Sequence, residues 1–98
     1  MLFSFILIDK PDSAALRTAM RPTHKAYLAA VADRIAFAGP FVHDDGSTML
    51  GSLLVIDFDS HHAVMAWLAD EPFTRAGVYA VSEIHAFVSL WPQRAGFP

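Results

Sequence analysis

The 98-residue chain contains no cysteine. That single absence removes disulfides, thiol nucleophiles and cysteine-ligated metals together. Charge is also scarce, at 17% of residues, where soluble domains carry roughly 25%. The net charge of −3 leaves no basic stripe of the kind nucleic acid needs. Long apolar runs are missing too. The longest, Leu2 to Ile8, is broken by Ser4 and falls far short of the about 20 residues of a spanning helix. It has no basic flank, and Asp9-Lys10-Pro11 follows it with no small-residue cleavage site, so it does not read as a signal peptide. The expectation is a cytoplasmic protein with neither a membrane nor a nucleic acid as partner.

What is abundant is apolar side chain, at 54% of residues. A lone domain of this length has a high surface-to-volume ratio and hides such an excess poorly. Self-association is the commonest remedy, and two-fold dimers lead among oligomers.

No repeat, low-complexity stretch or linker divides the chain, so residues 1–98 read as one domain with a tail from about Pro92. Leu2–Ile8 reads as a strand apolar on both faces, hence covered on both sides. Pro11-Asp12-Ser13 starts a helix that Asp12 or Ser13 can cap, with Ala14 to Met20 as its first turns. Pro22 opens a further helical segment to Ala38, in which His24, Leu28, Val31 and Ile35 share one face. Gly39-Pro40 reads as its terminator.

Phe41-Val42-His43 can form a short strand, and Asp44 to Ser47 a turn. Thr48–Phe58 is the clearest long strand, with Gly51 marking a bulge or a close approach. Asp59-Ser60 caps a helix from His61 to about Asp70, which Glu71-Pro72 stops. Phe73 to Val78 forms a short helical turn containing Gly77, and Ala80–Trp91 a last strand. The order βαββαβ is the ferredoxin-like α+β plan, with helices on one sheet face. A partner's sheet would cover the other, giving a dimeric α+β barrel.

Arg21-Pro22-Thr23-His24 with Tyr27-Leu28, Gly39-Pro40, Gly51-Ser52, and Glu71-Pro72-Phe73 followed by Ala76-Gly77-Val78-Tyr79 occur in that order. This set resembles the YciI-like (YCII-related) domain family over about Leu2 to Phe87. The resemblance implies the dimeric barrel and an active site made of a histidine, here His24, and an acidic residue before the Pro-Phe pair. That acidic position is Glu71, where the family more often has Asp, and Asp70 precedes it, so either carboxylate is open as the partner. Some relatives act in degrading chlorinated aromatics, including a dehydrochlorinase-type step. Sister families include muconolactone isomerase and small monooxygenases, which are analogies of fold alone.

His24 sits on the apolar face, in the first turn of the Pro22 segment, where the helix dipole favours a neutral imidazole usable as a base. The plainer alternative is a buried histidine with one hydrogen bond and no chemistry. A carboxylate on one imidazole nitrogen fixes its tautomer; otherwise Asp70 and Glu71 are a solvated helix end. Arg17 and Arg21, one turn apart, can hold a planar anion or can be surface charge. Ser52 has no base beside it in sequence and serves better as a cleft donor than as a nucleophile. Phe73 and Tyr79 are core residues or the wall of an apolar pocket for an aromatic compound.

His43, His61, His62 and His85 lack metal-ligand spacing, so no metal is expected. Two functions remain open. One is a cofactor-independent lyase or isomerase acting on a small aromatic or dicarbonyl compound. The other is a non-catalytic binding or dimerisation module.

Overall fold

The computed structural model describes residues 1–96. Strand β1 (Leu2–Asp9) leads into helix α1 (Ala14–Ala29), a 3-10 turn at Ala32–Arg34, strands β2 (Ile35–Val42) and β3 (Met49–Asp57), helices α2 (His61–Ala69) and α3 (Pro72–Ala76), and strand β4 (Tyr79–Phe87). The four strands form one antiparallel sheet in the order β2-β3-β1-β4. This is the ferredoxin-like α+β arrangement expected from the sequence.

Alternation along β1 sets the two faces. Phe3, Phe5 and Leu7 are buried, and join Leu54, Ile56, Phe58, Val64 and Leu68 in the core. Trp67 of α2 packs its ring 5.6 Å from both Phe5 and Phe58. Each such large side chain, once buried, contributes about 1.5–3 kcal/mol. The opposite face is less covered. Ile8, Phe37, Val81 and Phe87 are exposed there, and the register places them with Leu2, Ile6 and Leu53.

Several local expectations are corrected. Helix α1 is continuous through Pro22 and ends at Ala29, not Ala38. Pro22 has no N–H, so the Thr18 carbonyl lacks its helical partner; Thr18 is exposed, where water can replace it. Gly39-Pro40 does not terminate a helix. It lies inside β2, paired with Leu53 and Ser52. Because β2 is an edge strand, a proline there is tolerated.

Neither Asp12 nor Ser13 caps α1 by its side chain. Asp12 takes a left-handed backbone with φ 59°, and Ser13 Oγ donates to the Lys10 carbonyl at 2.7 Å. Ser60 does cap α2, accepting from Ala63 N at 3.1 Å. Strand β4 stops at Phe87, whose partner is Leu2 at the start of β1, so nothing remains to pair with Val88 to Trp91. The expected tail runs from Pro92 into residues 97–98, which lie outside the described residues.

At Gly51 the backbone of β3 leaves no room for a side chain beside β1. A Cβ at that position would lie 2.1 Å from the Leu7 carbonyl oxygen, a backbone atom that cannot swing aside. Among the described residues no helix is long and apolar enough to cross a membrane.

Candidate active site

Glu71 organises the site through two local signals. Pro72 at the first turn of α3 needs no N–H partner, and Glu71 before it is the N-cap. Its Oε1 accepts from Phe73 N and its Oε2 from Thr74 N, each at 3.2 Å. These bonds hold a carboxylate that is wholly buried. Its Oε1 also accepts from His24 Nδ1. With the carboxylate accepting, Nδ1 carries the hydrogen and Nε2 the lone pair.

The ring of His24 is fixed a second way. It stacks on Phe73 with centroids 3.9 Å apart and planes 11° from parallel. Tyr79 meets the same Phe73 edge-on at 5.9 Å, and the Arg17 guanidinium lies 4.6 Å from its centre.

Arg17 is itself buried. It sits seven residues before His24, on the same face of α1. Its Nη2 donates to the Gly51 carbonyl at 2.5 Å and to Ser52 Oγ at 2.7 Å. Its Nε lies 3.1 Å from Asp9 Oδ2, an ionic contact without hydrogen-bond alignment, and Asp9 Oδ1 has no hydrogen-bond partner among the described residues. Burial raises the Asp9 pKa above the usual carboxylate value, and the Arg17 charge works against that rise. Tyr79 donates to Ser52 Oγ at 3.4 Å. Burial, then the Glu71 charge, push the Tyr79 phenol well above its ordinary value, so it keeps its proton.

A cavity of about 240 Å³ opens in front of this cluster. Arg17, Arg21, His24, Lys25 and Ser52 supply its polar lining, and Leu28, Pro40, Met49 and Leu54 much of its apolar lining. Its size suits a one-ring molecule, since pockets for drug-sized ligands begin at about 300 Å³.

A model of the YCII-related domain matches residues 1–88. The chain belongs to the YCII-related domain family. This YCII-related domain is 34% identical to the protein YciI of Escherichia coli over 98 residues, covering 93% of this chain and all of that one. The Shigella flexneri YciI matches equally. An uncharacterised Haemophilus influenzae protein is 30% identical, covering 82% of this chain and 89% of its own length. Among solved structures, 5-chloro-2-hydroxyhydroquinone dehydrochlorinase (TftG) of Burkholderia phenoliruptrix, in complex with 2,5-dihydroxybenzoquinone, superposes with a TM-score of 0.85 at 29% identity. The match covers 90% of this chain and 94% of that one.

The YCII-related domain brings together His24, Glu71, Arg17 and Ser52, with Arg21 on the rim. It sets Asp70 apart. The Asp70 side chain is 71% exposed and sits 3.8 Å from Arg75, so Glu71 alone meets His24. Phe73 and Tyr79 do not line the cavity; they back the residues that do. His24 stands mid-helix in α1, not in a first turn, so the dipole argument for its neutrality falls away and Glu71 sets its tautomer instead. Sequence reasoning missed Lys25 and Asp9. Lys25 follows Arg17 and Arg21 at four-residue steps, which is one helical face. A charged Arg17 on the inward face of α1 called for a buried anion, and Asp9 ends the strand just before that helix.

Proposed function

We propose that this protein is a cofactor-independent acid–base catalyst of the lyase or isomerase type, acting on a small aromatic or dicarbonyl compound. The observation that carries this reading is the buried His24–Glu71 pair opening on a cationic cavity. In it, His24 Nε2 takes a proton from substrate carbon or oxygen. The electron pair so released either expels chloride, as in an elimination, or shifts along the conjugated system to a carbon that takes the proton back from the His24 imidazolium, as in an isomerisation. Glu71 holds the tautomer and balances the imidazolium that forms. Arg21 and Lys25 on the cavity lining hold the substrate's negative charge, with the buried Arg17 behind Ser52. The dehydrochlorinase name and quinone ligand of the TftG structure support an elimination on a hydroxylated ring.

The test is chloride release from chlorinated hydroquinols, and solvent deuterium exchange into cyclic dicarbonyls, by the wild type and by Glu71→Gln. In that variant the amide oxygen takes the Oε1 place, where two N–H groups converge, and its NH2 faces the Thr74 N–H. The tautomer of His24 survives while the counter-charge is lost. Turnover is expected to fall about 100-fold. An unchanged rate removes the pair from the chemistry. Inactivity of the wild type on both classes would favour the binding module.

We also infer that the protein works as a homodimer in the cytoplasm, with the open sheet faces packed together into a barrel. The exposed Ile8, Phe37, Val81 and Phe87 on that face support this. Light scattering at micromolar concentration should give twice the chain mass, and a clean monomer would overturn it.

A further inference from the structure

Ser52 stands in β3 at the wall of the cavity, 3% exposed, next to the close approach at Gly51. A hydroxyl has two lone pairs and one hydrogen. Arg17 Nη2 donates to Ser52 Oγ at 2.7 Å, and a guanidinium cannot accept anything in return. The Tyr79 hydroxyl donates to the same oxygen at 3.4 Å. Both accepting positions of Ser52 are therefore filled by donors. With the Tyr79 hydroxyl as donor, the Ser52 hydrogen has no other acceptor among the described residues.

We propose that Ser52 is a preset hydrogen-bond donor to the substrate oxygen on which negative charge resides or develops, a phenolate, enolate or quinone oxygen. Arg17 and Tyr79 are positioning residues that fix the polarity of that hydroxyl from behind. The proposal deepens the acid–base reading above and rests on it. His24 and Ser52 line one cavity, so a ligand held there can lose a proton to the imidazole while its oxygen is held by the serine. Aimed donors of this kind act where charge forms and need no rearrangement at the moment of reaction. The same geometry removes Ser52 from the list of nucleophiles, because its lone pairs are engaged. The flanking cations Arg21 and Lys25 favour ligands that are anionic on arrival.

The probe is 4-nitrophenolate, whose visible band moves to shorter wavelength when a donor binds its oxygen. The wild type is expected to bind it and shift the band. Ser52→Ala is expected to bind it about tenfold more weakly, since bonds to charged groups are the strong ones, and to hold it with the band at longer wavelength than in the wild type. Ser52→Thr, which keeps the hydroxyl, should recover the shift. Tyr79→Phe, which leaves Ser52 in place, should move the band the same way as Ser52→Ala but by less. A merely structural role for Ser52 would change the melting temperature and not the colour of bound probe. Wild-type affinity and the wild-type band position in Ser52→Ala together overturn the proposal. So does a wild type that fails to bind the probe at millimolar concentration. These readouts are binding and colour, so an unchanged band in Ser52→Ala beside Glu71-dependent turnover would remove this donor and leave the catalytic reading standing.

Discussion

A His24→Gln variant is expected to lose about 10²- to 10⁴-fold of turnover while remaining folded. Glutamine is close in volume, and its amide NH2 can still donate to the Glu71 carboxylate. The buried acceptor therefore keeps a partner, and the larger penalty of an orphaned carboxylate is avoided. What disappears is the imidazole lone pair that takes the proton. The ring also leaves Phe73, where stacking at 3.9 Å contributes about 0.5–1.5 kcal/mol. A modest drop in melting temperature should accompany a large drop in rate. The pH profile is the sharper reading: any limb of the wild-type profile that reports the imidazole should be missing in the variant. Equal rates of chloride release or deuterium exchange in the two proteins would end the assignment of His24 as the base.

Arg17→Met should cost about 3–5 kcal/mol of folding stability, the usual consequence of stranding one partner of a buried ion pair. The Asp9 and Arg17 side chains are 7% and 5% exposed, so the stranded carboxylate could not simply turn to water. Loss of the guanidinium also takes the Arg17 donor from the Gly51 carbonyl and from Ser52 Oγ. The sign of the pH dependence follows from Asp9. Its folded pKa lies above the unfolded value because of burial, and Arg17 opposes that rise. A raised carboxyl pKa means the folded state holds the proton more tightly. Stability from this group is then present at low pH and lost as pH rises through the folded pKa. Removing Arg17 pushes that pKa higher still. The deficit of Arg17→Met should be largest at neutral pH and shrink as Asp9 is protonated. Urea unfolding at pH 7 and pH 5 measures both points, and a deficit under 1 kcal/mol, or one flat with pH, would refute the stranded-carboxylate account.

Strands β1 and β3 and helix α2 were legible because their signals are local. Phe3, Phe5 and Leu7 alternate, and Ser60 stands at the N-cap. Glu71-Pro72 was legible as a break, though reading it only as a stop hid that Glu71 begins α3. Strand β2 was read too short, as Phe41 to His43, for a reason that lies outside its own residues. Ile35 continues the helical spacing of Leu28, and Gly39-Pro40 is a strong terminator in any chain. Only pairing with β3, and a place at the sheet edge, makes a strand of them.

The choice between Asp70 and Glu71 likewise depended on the cap. Two backbone N–H groups of α3 seize the Glu71 carboxylate, and the chain geometry turns Asp70 outward. Asp9 had no mark in the sequence beyond its place after a strand; its meaning arises only when Arg17 arrives from α1.

Gly51 leaves the molecule with unequal freedom to vary. No other amino acid fits where its absent side chain lets the Leu7 carbonyl approach, and its own carbonyl anchors Arg17. Met49, by contrast, faces the cavity near the end of β3, and Leu28 and Pro40 share that apolar wall. A lineage built on this frame can exchange those walls, and with them the molecule it accepts, while the junction of β1, β3 and α1 stays as it is. Diversification would then proceed by replacing wall residues around a junction that admits no side chain.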